Sequence, residues 1–234
     1  LYFAISGRWS EVWKDEELRT YLLIIFVAWL AMAFNLSRAT DYSLTESIRH
    51  SLFQSISISS TGYSSANFSE WPVFSQFVLL LLMIIGASAG STGGGLKVLR
   101  IRIAFELAKR EVIRIIQPKK VIAIRFNENV VDERRIWIIL GMVSSWMVLV
   151  TASMLTISFL EPNLSLTDVS SVSISLLGNT GPALGSFGPA NAASTWSDLN
   201  PLSMFVSTIL MWLGRLELLT VLVLLHPRTW SSSN

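Results

Sequence analysis

Three long apolar runs constrain the fold of this chain more than any other feature. They cover residues 18–36, 136–160 and 201–225 and contain one, no and two charged residues, respectively. A helix of about 20 apolar residues crosses the hydrocarbon core of a bilayer. The whole chain is 51% hydrophobic and 15% charged, whereas soluble domains carry about 25% charged residues. The sequence therefore predicts an all-α integral membrane protein; buried helices of a large soluble protein are the alternative.

The distribution of basic residues predicts how the chain is oriented in the membrane. Of the 18 Lys and Arg residues, 11 lie within residues 97–135, and residues 161–200 contain none. By the positive-inside rule the first segment is cytoplasmic and the second faces outward. The basic cluster therefore flanks a membrane, and we expect no nucleic-acid partner. The chain has no Cys, which excludes disulfides and Cys-based metal or redox chemistry.

Two related units follow one another along the chain. Trp29 and Trp146 are 117 residues apart, and Thr61-Gly62 and Thr180-Gly181 are 119 residues apart. Matches at nearly the same offset indicate an internal repeat of about 118 residues. Internal repeats are common in membrane transport proteins.

Each unit contains a segment that is too short to cross a bilayer, residues 43–58 or 165–177. Ser43 and Ser165 are the predicted N-caps of these segments, each with a carboxylate residue three positions later. A turn of small residues follows, and a second apolar run then begins near Pro72 or Pro201. The predicted order in each unit is span, re-entrant half-helix, Gly-containing turn and span.

The two turns, "SSTGY" and "GNTGP", admit two interpretations. Ser, Thr and Gly are common in ordinary surface turns. At membrane depth, however, non-helical backbone is tolerated where protein buries it or where it lines a water-filled cavity. Its carbonyl groups can then replace the water around a cation, and the half-helix directs its negative C-terminal end toward that cation. The repeated order favours the cation-binding interpretation.

The turns and their surroundings resemble a known family. Ser60-Thr61-Gly62-Tyr63-Ser64 resembles the Thr-Val-Gly-Tyr-Gly filter of potassium channels, and Asn179-Thr180-Gly181-Pro182 resembles a more divergent copy. The repeated span, pore helix, filter and span resemble the Trk/Ktr/HKT superfamily of potassium transporters, and most closely its bacterial Trk-type subunit. That family has four such units around one pore. Nearly the whole chain resembles the third and fourth.

The resemblance implies the residues of a selectivity filter. Gly62 and Gly181 are expected to confer selectivity for potassium over sodium, with no organic cofactor in this chain. Potassium is expected at Ser60, Thr61, Asn179 and Thr180. The complete set of predicted filter residues is Ser59, Ser60, Thr61, Gly62, Gly178, Asn179, Thr180 and Gly181.

The second span of the first unit contains a stretch that opposes a continuous helix. All ten residues from 86 to 95 are Gly, Ala, Ser or Thr, and five are Gly. Each Gly costs a helix about 1 kcal/mol, so we predict an irregular loop; a small-residue helix-packing face is the alternative. The phosphate-binding P-loop pattern is not met. In the Trk family a matching loop acts as a gate below the filter, which implies gate residues Ser91, Thr92, Gly93, Gly94, Gly95 and Lys97.

The last apolar run contains two charged residues, Arg215 and Glu217. A charge in the middle of a membrane helix is costly, so it faces a polar interior or a partner. Subtracting the 119-residue offset places Arg215 opposite position 96, beside the Gly-rich stretch. Either Arg215 ties helices together, or it is a fixed positive charge below the filter that belongs to the gate. The family resemblance supports the gate. Glu217 is expected to accept hydrogen bonds from a neighbouring helix or the loop.

The predicted organisation has five segments. Residues 1–17 are a cytoplasmic segment, 18–116 the first pore unit with its break at 86–95, 117–135 a cytoplasmic connection, 136–225 the second pore unit and 226–234 a cytoplasmic tail. The connection contains "VIAIRF", a predicted short strand or hairpin, and residues 2–6 are its possible counterpart. The resemblance implies that this face docks a TrkA-like cytosolic regulatory ring that binds nucleotides.

The resulting functional prediction is potassium uptake by a multi-pass protein of the bacterial cytoplasmic membrane. The expected partners are membrane lipid, the regulatory ring and a second copy of the full subunit. No catalytic constellation is present, so the chain is not expected to be an enzyme. The alternative is an alternating-access cation symporter that uses the broken helix as its binding site.

Overall fold

The computed structural model describes residues 9–88, 91, 93–118, 122–127, 129–189 and 196–216, with side chains from residue 12 onward. Nearly all regular structure in these ranges is helical. The helices are α1 (Trp9–Lys14), α2 (Glu16–Ala39), α3 (Leu44–Ile58), α4 (Val73–Ile85), α5 (Val98–Ile116), α6 (Glu133–Leu160), α7 (Leu166–Gly178) and α8 (Pro201–Arg215). Short 3₁₀ turns cover Phe68–Glu70, Gly185–Phe187 and Trp196–Asp198.

Helices α2 and α6 are long and apolar enough to cross a membrane. They have 24 and 28 residues, and only 28% and 17% of their most apolar windows are buried within the chain. A core helix of a soluble protein would be mostly buried. Large apolar side chains such as Phe34 and Phe159 are instead exposed on their outer faces, as expected of helices that contact lipid or other membrane helices.

The same element order occurs twice. Helix α2 is followed by the short helix α3 and then α4, and helix α6 is followed by the short helix α7 and then α8. Ser43 and Ser165 are the N-caps of α3 and α7, and both form complete capping boxes, with Glu46 and Asp168 respectively. The predicted caps are therefore confirmed, because each Ser hydroxyl satisfies a backbone N–H that the first helical turn leaves unpaired.

The two helical groups share one core. Fully buried side chains include Met32 and Leu36 of α2, Met83 of α4, Ile157 of α6 and Leu177 of α7. Helix α3 packs on α2, helix α7 packs on α6 and α8, and α4 lies against α7. The contact between α4 and α7 joins the first group to the second, and it brings the end of α4 close to the end of α7.

The second span of the first unit is interrupted, as the sequence predicts. Helix α4 ends at Ile85, where the C-cap Gly86 has φ 68°, and the next helix begins only at Val98. The described residues between these helices are not helical. Gly86 and Gly95 have positive φ, a backbone region that residues with a Cβ adopt only with strain. The break therefore follows from its Gly content.

Arg215 is the last residue of α8 as described, and its side chain is exposed. The rest of the predicted span, residues 217–225, lies outside the described residues. A cation at this end is favourable, because the unpaired carbonyl groups give a helix C-terminus partial negative charge. Glu217 lies outside the described residues.

A polar cluster joins α2, α5 and the connecting segment. Arg102 of α5 forms an ion pair with Glu16 at 2.9 Å and donates to Thr20 Oγ1 at 2.6 Å. The backbone N–H of Glu16 donates to Asn127 Oδ1 at 2.9 Å. Asn127 lies in the turn between β1 (Arg125–Phe126) and β2 (Asn129–Val130), which pair antiparallel. The predicted hairpin is therefore present, whereas its possible counterpart at residues 2–6 lies outside the described residues.

Candidate functional site

The first loop (residues 59–62) is folded back on the end of α3. The backbone N–H groups of Ser60, Thr61 and Gly62 all donate to the carbonyl oxygen of Ser57, at 3.2, 2.9 and 2.8 Å. The Ser57 hydroxyl donates to the carbonyl oxygen of Tyr63 at 2.6 Å. With its N–H groups directed to one acceptor, the loop curls tightly around the C-terminus of the short helix.

Ser59 is the first loop's attachment to the span α2. Its side chain is buried, and its hydroxyl lies 2.9 Å from the Tyr21 hydroxyl. Tyr21 is separated from Ser59 by 38 positions, so sequence reasoning did not find this contact. A hydroxyl-bearing residue near the start of an apolar run is the signal that could have suggested it.

The second loop (residues 178–181) is held differently. Asn179, the C-cap of α7, is left-handed with φ 50° and ψ 37°, a region in which Asn is enriched. Its side-chain amide donates to the carbonyl oxygen of Met211 on α8 at 3.0 Å. Thr180 is 4% exposed; its backbone N–H donates to the carbonyl oxygen of Ser175, and its hydroxyl donates to the Ser175 hydroxyl, each at 3.2 Å.

The two loops meet at Gly62. Gly62 has φ 74°, and a Cβ added there would overlap the carbonyl oxygen of Thr180 and lie 2.7 Å from Pro182 Cδ. No residue with a side chain fits this position without displacing the second loop. Gly181 also has positive φ, 97°, but a Cβ there would meet no atom within 4 Å. The structure thus brings together the turns of both units, which are 119 residues apart in sequence.

Backbone oxygen atoms of both loops accept no hydrogen bond from the described residues. In the described part of the chain, the carbonyl groups of residues 59–62 and 179–181 accept no hydrogen bond. Unpaired carbonyl oxygens are suitable ligands for a potassium ion. The described residues contain no cluster of three or more His, Cys, Asp or Glu that could hold a metal.

The Gly-rich segment (residues 86–95) packs directly below the second loop. A Cβ added to Gly94 would lie 2.5 Å from the carbonyl oxygen of Gly178. A Cβ added to Gly86 would lie 2.5 Å from the carbonyl oxygen of Gly94. These approaches require Gly because the backbone of one segment touches the backbone of the next. Glycine therefore lets the segment fill the space under the end of α7.

Lys97 holds the Gly-rich segment in shape. Its ammonium group donates to the carbonyl oxygen of Ser91 at 3.0 Å, and the Ser91 hydroxyl accepts from the N–H of Gly93 at 3.2 Å. The N–H of Leu96 donates to the carbonyl oxygen of Ile84 at 2.9 Å. Of the predicted gate residues, Thr92 alone lies outside the described residues.

Arg215 and the Gly-rich segment line the same cavity. Its volume is about 240 Å³, and its lining includes Gly93, Gly94, Gly95, Lys97 and Arg215. Trp146 of α6 and Leu177 of α7 form part of its apolar wall. Gly214 explains the close approach of α8, since a Cβ there would overlap the carbonyl oxygen of Leu177. The structure therefore brings the described residues of the predicted gate next to Leu177 and Gly178 at the end of α7, where the second loop begins.

The capping carboxylates at the other end of the short helices have different surroundings. Hydrogen bonds from Ser43 lower the pKa of the exposed Glu46. Burial by itself would raise the pKa of Asp168, but hydrogen bonds from Ser165 and Ser186 lower it below its usual value. Asp168 is 3% exposed, so it is a carboxylate kept charged by the donors around it.

Comparison with known proteins gives a consistent result. The family model TrkH, a cation transport protein, matches residues 12–232. The Trk system potassium uptake protein TrkH of Halomonas elongata is 32% identical over 95% of this chain and 45% of its own length. For the protein of the same name from Escherichia coli K12, the identity is 32% over 98% and 47%. The chain spans about half the length of these relatives.

A solved structure is similar in fold as well. The crystal structure of the potassium transporter TrkH from Vibrio parahaemolyticus has a TM-score of 0.86 and 31% identity, and the match covers 98% of this chain and 48% of that one. These similarities confirm the resemblance to the Trk/Ktr/HKT superfamily, the location in the bacterial cytoplasmic membrane and the non-enzymatic class. The chain belongs to the TrkH family of cation transport proteins.

Proposed function

We propose that the protein to which this chain belongs takes up potassium through a pore whose filter includes the first and second loops. The observation that carries the proposal is the contact between Gly62 and the carbonyl oxygen of Thr180. It joins the turns of two units into one group of backbone oxygens that accept no hydrogen bond from the described part of the chain. Transport through such a group is passive and requires no organic cofactor.

The ions would be coordinated by the backbone at Ser60, Thr61, Asn179 and Thr180. The short helices α3 and α7 end at these loops, so their partially negative C-termini face the proposed ion positions. Two loops do not enclose an ion, and we propose that two further loops complete the filter. This agrees with the match to about half of each TrkH relative.

The gate in this proposal is the Gly-rich segment together with Arg215. Gly94 touches the carbonyl oxygen at Gly178, and the cavity on the other side of the segment is lined by Lys97 and Arg215. Positive charges that line this cavity oppose the entry of a cation by Coulomb repulsion. Movement of the segment or neutralisation of its charges would then open the path.

The partners follow from the surfaces that the chain presents. Lipid would contact the exposed apolar faces of α2 and α6. The hairpin, with β1 and β2, and the basic helix α5 are the proposed docking face for a cytosolic nucleotide-binding regulatory ring. A dimer of the full subunit completes the proposed assembly. The segment boundaries predicted from the sequence, with pore units at 18–116 and 136–225, are part of the same proposal.

The symporter alternative assigns the ion site to the helix break instead. The cavity of about 240 Å³ at the break is large enough to hold an ion, which favours this alternative. Its lining, however, includes Lys97 and Arg215 and, among the described residues, no carboxylate, which opposes cation binding there. The filter loops, which lack these charges, are the better cation ligands.

The test is ion flux into vesicles that carry the full-length parent protein. Rubidium and sodium uptake would be compared between the wild type and Gly62→Ser, with Gly141→Ser as a matched control, because a Cβ at Gly141 would meet no atom within 4 Å. We expect potassium-selective flux in the wild type and in the control, and loss of selectivity in Gly62→Ser. Absence of potassium flux in the wild type would contradict the proposed function.

A further inference from the structure

Three polar side chains on α7 share one face. Asp168, Ser171 and Ser175 are separated by three and four positions, which places them along one side of a helix. All three are at least 97% buried. Polar groups are buried at a cost unless they are hydrogen-bonded, so their partners indicate what this face is for.

Each of these side chains contacts a successive part of residues 180–186. Ser175 receives the hydroxyl of Thr180. Ser171 accepts from the N–H of Leu184 at 3.0 Å. Asp168 accepts from the N–H of Ser186 at 2.7 Å and lies against Gly185, where a Cβ would overlap its Oδ1. The chain leaving the filter therefore runs back along α7 and is attached at three levels.

The first unit lacks this arrangement. Glu46, the capping residue that corresponds to Asp168, is exposed, and its hydrogen bonds are to Ser43. In the described part of the chain, Ser57 is the one side chain of α3 that is hydrogen-bonded to residues 61–66. Tyr63 is 72% exposed. Among these residues, one side chain of α3 holds residues 61–66, whereas three side chains of α7 hold residues 180–186.

We propose that Asp168 and Ser171 are positioning residues for the second loop and thereby contribute to ion selectivity. They hold residues 183–186 against α7, and this fixes the irregular segment that continues from Thr180 and Gly181. Where selectivity comes from the size of the cavity, carbonyl oxygens that are held in place do not close around the smaller sodium ion. The hydrogen bonds from residues 180–186 to Ser175, Ser171 and Asp168 keep the carbonyl oxygens of the second loop from moving inward. The effect on ion selectivity rests on the proposed function, whereas the attachment of residues 183–186 to α7 does not.

The experiment uses the full-length parent protein in lipid nanodiscs and in vesicles. Variants are Asp168→Ala, Asp168→Asn and Ser171→Ala, with Glu46→Gln as the matched change of the other capping carboxylate. Hydrogen–deuterium exchange is measured for residues 180–188 and 60–66. The ratio of rubidium to sodium uptake is measured in parallel. The exchange readout does not depend on transport.

We expect amide exchange in residues 180–188 to become at least about tenfold faster in Asp168→Ala, because a buried hydrogen bond to a charged group is lost. Ser171→Ala should act in the same direction. Asp168→Asn keeps one oxygen acceptor, so it should retain part of the protection from exchange and part of the ion selectivity that Asp168→Ala loses. If only the long-range effect of the charge mattered, the two variants would show the same exchange rate and the same selectivity. Glu46→Gln should leave exchange in residues 180–188 unchanged.

Two outcomes would overturn the inference. One is unchanged exchange in residues 180–188 in both Asp168→Ala and Ser171→Ala. The other is faster exchange with an unchanged rubidium-to-sodium ratio, which would make these residues structural only. Absence of wild-type potassium flux together with faster exchange would instead overturn the proposed function and the selectivity part of the inference, while the attachment of the loop would stand.

Discussion

Gly62 of the first unit lies against the carbonyl oxygen of Thr180 of the second, so closely that a methyl group would overlap it. The residues are 118 positions apart, yet their backbones form one contact surface. Replacement of Gly62 therefore affects both loops, which makes this position the most sensitive in the proposed filter.

Gly62→Ala should impair the protein more than Gly181→Ala does. Both positions have positive φ, which costs a residue with a Cβ about 1–2 kcal/mol, but only at Gly62 would the added methyl group also meet backbone. We expect Gly62→Ala to lose most of the preference for rubidium over sodium, and Gly181→Ala to lose less. Equal loss would show that backbone conformation, and not the contact with Thr180, determines sensitivity.

Gly94→Ala should destabilise the full-length protein by about 2 kcal/mol, because overpacking against rigid backbone is costly. The added methyl group would lie 2.5 Å from the carbonyl oxygen of Gly178. Displacement of the segment from this position should also raise cation flux if the segment is the gate. Thermal unfolding and rubidium uptake are the measurements.

Gly141→Ala is the control for this change. Gly141 lies within α6, and a Cβ there would meet no atom within 4 Å. Ala at a helical Gly stabilises a protein by about 0.4–1 kcal/mol. A fall in stability equal to that of Gly94→Ala would contradict the role of the contact with Gly178.

Arg215→Ala should increase rubidium uptake by about threefold or more, with selectivity retained, since a positive charge lining the cavity is removed. Arg215→Lys keeps the charge and should resemble the wild type. Arg134→Ala removes an exposed Arg from α6 and is the matched control. Unchanged flux in Arg215→Ala would assign Arg215 a structural role and leave the gate to the Gly-rich segment.

Arg102→Gln should destabilise the cluster that joins α2, α5 and the hairpin. The change removes an ion pair with Glu16 at 2.9 Å and a hydrogen bond to Thr20. We expect a loss of about 1 kcal/mol in unfolding free energy and faster amide exchange at residues 124–127. Arg114→Gln, which removes an exposed contact at 3.8 Å, should change stability by less than about 0.5 kcal/mol. A similar loss in both variants would contradict the prediction.

Acid should weaken the attachment formed by Asp168. Its pKa in the folded state lies below the usual value of 3.8, so its stabilising contribution is complete above about pH 4 and is lost as the pH falls through the folded-state value. The difference in unfolding temperature between the wild type and Asp168→Asn should therefore be constant from neutral pH to about pH 4 and narrow below it. If the difference in unfolding temperature narrowed around neutral pH instead, the pKa of Asp168 would be raised in the folded state, which would contradict the prediction.

Much of the architecture was predictable because its causes are local. Hydropathy over about 20 residues identified α2 and α6, and the Ser-x-x-Glu and Ser-x-x-Asp patterns identified the N-termini of α3 and α7. The Gly content of residues 86–95 predicted the break between α4 and α5. In each case the interactions that determine the structure are between residues only a few positions apart, so residues that are close in sequence are also close in space.

The contacts between segments were decided by the tertiary structure. The sequence alone determined that Thr-Gly turns follow two short helices, that a Gly-rich break follows the first, and that Arg215 falls at the repeat position beside it. Only packing of α4 against α7 brings Gly94 to Gly178 and Gly62 to Thr180, and only the return of residues 180–186 along α7 gives Asp168 and Ser171 their partners. Each of these contacts includes at least one backbone group. Backbone groups carry no sequence signal of their own, because nearly every residue has the same N–H and carbonyl groups. Which of them come into contact is therefore decided by how the helices pack.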